Sequence, residues 1–101
     1  MSDRFPLSAS AVEACTDVVS SWRDAHFPGQ DLEEQIKMLA GRVNSWVSGA
    51  SVVAGVRDVM SGVVRGADSQ AMIDDLGTRL GRRLSDDGLL LASPRRAASL
   101  G

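Results

Sequence analysis

Cys15 and His26 are the chain's one thiol and one imidazole, the two groups that nucleophilic catalysis would combine. They lie 11 positions apart, about 16 Å along a helix that rises about 1.5 Å per residue, so one helix cannot bring them together. Cys15 falls on the apolar face of its segment, which predicts a buried, inert thiol. His26 closes that segment, where an imidazole complements a helix dipole. The carboxylate pairs Glu33 and Glu34, Asp74 and Asp75, and Asp86 and Asp87 have the composition of acid-base or metal sites. Helical neighbours point about 100° apart and seldom converge on one ion, so solvated faces are the expectation. One cysteine excludes an internal disulfide, and one histidine leaves too few ligands for a zinc cage of Cys and His. No metal and no cofactor is therefore expected from these groups.

The elements that would position such residues can be read from apolar spacing. Residues 1–7 form a lead-in in which Pro6 interrupts regular structure and Phe5 and Leu7 are available to dock. The first helix is predicted from about Ser8 to Ala25. Ser10 and Glu13 stand at capping-box spacing, and Val12, Cys15, Val19 and Trp22 share one face. His-Phe-Pro-Gly-Gln at 26–30 marks a turn. Asp31 and Glu34 open a second helix, whose stripe Leu32, Ile36, Leu39, Val43 and Trp46 runs to a stop near Ser48 and Gly49. A third helix is predicted over Ser51–Arg65, with Arg57, Asp58, Ser61 and Arg65 as its polar stripe. A fourth carries Met72, Ile73, Leu76, Leu80 and Leu84 in line. Its acids Asp74 and Asp75 precede its bases Arg79, Arg82 and Arg83, which suits the helix dipole.

Ser85-Asp86-Asp87-Gly88 ends the fourth helix, Leu89 to Leu91 adds an apolar hook, and about 92–101 reads as a loose tail or one last helical turn. The expectation is an all-α single domain spanning 1–101, a small antiparallel four-helix bundle with room for a short fifth C-terminal helix. Gly55, Gly62, Gly77 and Gly81 fall inside the predicted third and fourth helices, each costing about 1 kcal/mol relative to Ala. Close packing of the two small faces, against each other or across a dimer, must offset them.

Gly66-Ala67-Asp68-Ser69 places a hydroxyl where the fourth helix begins, beside backbone N–H groups that favour a negative charge. This tetrad resembles the Gly-x-Asp-Ser motif of acyl and peptidyl carrier proteins, four-helix domains that carry phosphopantetheine on the serine. Leu32-Glu-Glu-Gln-Ile36 resembles that family's first helix, and Leu89-Leu-Leu-Ala-Ser-Pro94 resembles the Leu-rich approach to a Pro in modular carriers, so the resemblance covers residues 31–100. It implies Ser69 as the attachment site, with Asp68 beside it. Gln70, Asp75 and Arg79 stand where the family is apolar, and an apolar third helix stands where it has a largely polar loop. Trp46-Val47-Ser48-Gly49 is similar, with one residue more, to the Trp-x-Gly bend of secreted helical-hairpin proteins of actinobacteria. The chain has no Tyr for a tyrosine-based C-terminal secretion signal.

Val52 to Val64 holds eight apolar residues and two charges, and such a surface must be covered by the chain or by a partner. Residues 1–78 carry 6 basic and 11 acidic groups, and residues 79–101 carry 5 and 2. That acidic body makes nucleic acid an unexpected partner. The basic pairs Arg82-Arg83 and Arg95-Arg96 suit a helix end and a solvated tail better than a phosphate. No apolar run approaches the ~20 residues of a bilayer span, so no membrane partner and a cytoplasmic location are expected. Ten Arg against one Lys, with abundant Ala and Gly, suit a GC-rich bacterial or phage genome. The expected function is non-enzymatic regulation by protein-protein interaction, of the antiactivator, inhibitor or chaperone type. It would use an apolar helical face built from Val52, Val56, Val59, Met60 and Val63, presented to another protein or to a second copy in a homodimer.

Overall fold

The computed structural model describes residues 9–64, 66 and 68–91 and is all-α, a small bundle of four helices. They are α1 (Ala9–His26), α2 (Glu33–Arg42), α3 (Gly49–Met60) and α4 (Ser69–Asp86). Neighbours in sequence are neighbours in space, and α4 closes the ring against α1. One core fills the centre, built from Cys15, Val19 and Trp22 of α1, Leu39 of α2, Val52, Val56 and Met60 of α3, and Ile73, Leu76, Leu80 and Leu84 of α4. The lead-in, Arg65 and the tail with Arg95 and Arg96 lie outside the described residues, as does the segment proposed for a fifth helix.

The ends of the helices follow local chemistry. Ser10 is the second residue of α1, inside the helix rather than at a capping box. The α1–α2 connection turns at Phe27–Gly29, where Gln30 N–H donates to the Phe27 carbonyl at 3.1 Å. Asp31 Oδ1 accepts from the N–H of Glu33 at 3.0 Å, satisfying one of the donors left open where α2 begins. α4 ends in a Schellman motif: Leu89 N–H donates to the Leu84 carbonyl at 2.9 Å and Gly88 N–H to the Ser85 carbonyl at 3.1 Å. Gly88 supplies the left-handed turn at φ 72°. Leu90 is then buried in the core and Leu91 N–H donates to the Trp46 carbonyl at 3.1 Å, so the apolar hook is a docked element.

Three expected boundaries move. α2 stops at Arg42, followed by a single 3-10 turn at Val43–Ser45 and an extended strap from Trp46 to Ser48. Ser45 Oγ donates to the Arg42 carbonyl at 2.8 Å, a side-chain bond that competes with continued helix. Trp46, at φ −89° and ψ 124°, swings out of the helical stripe and lays its indole over Gly55 of α3. α3 begins earlier than expected, at Gly49, and stops at Met60, which leaves Gly62 in a turn rather than in a helix interior.

The α3–α4 pair makes the most extensive helix contact and runs antiparallel, with Gly49 opposite Gly81 and Val53 opposite Gly77. A Cβ built on Gly77 would stand 2.9 Å from the Cα of Val53, whereas one on Gly81 would stand 3.4 Å from the Cα of Gly49. Exposed ion pairs border the packing: Arg57 grips Asp74 through Nε at 2.8 Å, Arg42 meets Asp58 at 2.6 Å, and Arg83 reaches Asp17 at 3.3 Å. Each joins two helices, and as surface pairs they fix neighbours more than they stabilise them.

Gly77→Ala is expected to destabilise, because about 1–3 kcal/mol of overpacking against backbone exceeds the gain of about 1 kcal/mol in helix propensity. Gly81→Ala, meeting only ordinary contacts, is expected to be neutral or stabilising. Urea unfolding of both variants beside the parent checks the contrast, and equal midpoints for the two would contradict this packing. Gly55→Ala should also destabilise, since its Cβ would fall 2.5 Å from the Trp46 ring. The loss should shrink when Trp46 is Leu, a coupling that a double-mutant cycle measures.

Candidate functional site

The residues proposed as a partner face are mostly core. Val52, Val56, Val59 and Met60 are buried within the single chain, and Val63 is half-buried against the same core. The physical reason is the position of α3, which is covered by α2 on one flank and α4 on another, with Trp46 closing over Gly55. A partner could reach these side chains only by opening the bundle, so the presentation of this face is corrected. The polar edge is as predicted: Arg57, Asp58 and Ser61 are exposed.

Apolar surface lies elsewhere. Val47 on the extended strap is 48% exposed and Leu91 on the hook is 44% exposed. The bond from Leu91 N–H to the Trp46 carbonyl holds the two backbones together. Two residues beyond Val47, Gly49 begins the floor of a shallow cavity of about 200 Å³ along the α3–α4 seam, with Val53, Gly77 and Gly81 beneath and Ala50, Thr78 and Arg82 at the rim. Arg82 is exposed and has no ion-pair partner among the described residues. Sequence reading missed this surface: Val47 stands four residues after Val43, in helical register with the apolar stripe of the predicted second helix, and the exposure of Leu91 depends on how the hook docks.

A second surface groove, about 450 Å³, lies between α1 and α2 over Val12, Thr16 and Ile36, with Arg23, Asp31, Glu33 and Lys37 around it. Arg23 is paired with Asp24 and Lys37 with Glu33. Met38, on α2 nearby, is 43% exposed.

Ser69 occupies the first position of α4, half-buried, with Asp68 at the cap and Gly66 at φ 123° before it. Neither the Asp68 side chain nor the Ser69 hydroxyl caps the helix; the Asp68 carbonyl instead accepts from Met72 N–H at 3.1 Å. The candidate catalytic groups stay apart. Cys15 is sealed in the core, and burial pushes its thiol up to about 12. His26 joins an aromatic cluster, its ring 5.7 Å from that of Trp22 and 6.3 Å from that of Phe27. Trp22 is itself a core anchor, whose Nε1–H donates to the Met72 carbonyl at 2.9 Å across to α4.

Adjacent carboxylates diverge as helical geometry requires. Asp74 turns to Arg57 and Gln70, and the Arg57 hydrogen bond holds its carboxyl below the usual range. Asp75 turns instead to Arg79. Asp87 pairs with Arg83, which also reaches Asp17, so this arginine serves the fold as an interhelical tie. Among the described residues no three His, Cys, Asp or Glu side chains are grouped to hold a metal ion, and no helix is long and apolar enough to cross a membrane.

The buried thiol predicts both reactivity and pH behaviour. Cys15 should resist a water-soluble disulfide reagent in the native protein and react at a rate set by unfolding. An unfolded thiol loses its proton near 9, while the folded one keeps it to about 12. Between those values the folded state holds more protons, so this group lowers stability as pH rises, by up to about 1.4 kcal/mol per pH unit. Below pH 9 it contributes no slope. Denaturant titrations from pH 8 to 11 should show this component missing in Cys15→Val.

Comparison with protein-family models, with curated proteins and with solved structures finds no match to this chain.

Proposed function

We propose that this chain is a non-enzymatic regulatory protein of bacterial or phage origin, acting in the cytoplasm by binding a second copy of itself or a protein target. The reading is carried by the exposure of Val47 and Leu91 where the strap and hook are tied together by the bond from Leu91 N–H to the Trp46 carbonyl. Isolated apolar residues on a surface are ordinary, but two on tethered backbones offer a partner a compact anchor site. The bundle supplies rigidity, so binding would require little ordering of this surface. A target would be regulated by occlusion, its own interface covered by this one.

Val47→Asp with Leu91→Asp is the corresponding variant. Both side chains are about half exposed, so helix content should stay near that of the parent and the unfolding midpoint should fall only modestly. Association should weaken at least tenfold, read by light scattering over a concentration series for self-association and by retention from native-host extract for another target. A parent that remains monomeric throughout and retains no protein, or a variant that associates as well as the parent, would refute the reading.

A second reading is favoured by Ser69 at the start of α4, whose hydroxyl makes no hydrogen bond among the described residues. As a carrier protein, the chain would accept phosphopantetheine when Ser69 Oγ attacks the pyrophosphate of coenzyme A, forming a phosphodiester and releasing adenosine 3′,5′-bisphosphate. Incubation with coenzyme A and a promiscuous phosphopantetheinyl transferase, followed by mass measurement, distinguishes the two readings. One added phosphopantetheine, lost in Ser69→Ala, establishes a carrier. An unchanged mass under conditions that load a control carrier removes that reading.

A further inference from the structure

We draw no further inference here: the strongest candidate, the surface groove between α1 and α2 over Val12, Thr16 and Ile36, carries nothing because nothing in the structure shows what covers it.

Discussion

The close approach of α3 to α4 is the constraint on which the rest of the molecule depends. With Gly77 set against the Cα of Val53 and Gly81 against Gly49, the helix backbones come nearer than most side chains would allow. These glycines are poor helix formers, each costing about 1 kcal/mol relative to Ala in a helix interior. The compensation is burial, since a fully buried Val, Leu or Met side chain is worth about 1.5–3 kcal/mol. Val52, Val56 and Met60 from α3 and Leu76, Leu80 and Leu84 from α4 all enter the common core. Neither helix is strong in isolation. Each becomes stable through the other, which makes the pair one packing unit rather than two independently formed rods.

Trp46 extends that unit to the rest of the chain. Its indole covers Gly55, the one core position of α3 where a Cβ would collide with a ring, and its carbonyl accepts the hook at Leu91. A helix carried through residue 46 would have kept the indole on the stripe of α2 and left Gly55 with no ring above it. The 3-10 turn and extended strap are therefore the local conformations that place a large apolar ring over a small one-residue gap. Trp22 does the corresponding work between α1 and α4, with one polar contact added through Met72. The scarcity of aromatic residues is thus consistent with their use: the two indoles span junctions between elements, and aliphatic side chains fill the layers between them.

What was legible in the sequence was the set of elements whose surroundings leave an amphipathic signature. α4 could be read in register because Ile73, Leu76, Leu80 and Leu84 alternate with charges that remain in water or in surface pairs. α1 was legible for the same reason through Cys15, Val19 and Trp22. The end of α2 was not, because Leu39, Val43 and Trp46 keep helical spacing through a break that tertiary contact with Gly55 imposes. Capping was legible only in part: Asp31 accepts from the first N–H of α2 but the N-cap is Leu32, Ser10 lies inside α1, and Asp68 makes no side-chain cap bond, since a side chain of the right type need not adopt the bonding geometry. The valine-rich segment showed which residues had to leave water and gave no information on what would cover them. Hydropathy does not distinguish the inside of a chain from the inside of a complex.

That ambiguity bears directly on function. An apolar helix face serves a partner only if the monomer leaves it open, and here α3 has α2 and α4 as neighbours while its remaining edge carries Arg57, Asp58 and Ser61. Val47 and Leu91, by contrast, are exposed where the chain changes direction. At the strap, Val47 follows a tryptophan whose side chain is committed to the core, so the alternation of extended backbone directs the next side chain to the opposite side, into solvent. At the hook, Leu90 is buried and Leu91 is exposed where the chain bends after α4. The anchoring of Trp46 and Leu90 is thus what turns Val47 and Leu91 outward. The same two core contacts that complete the fold also fix the apolar surface available to a partner.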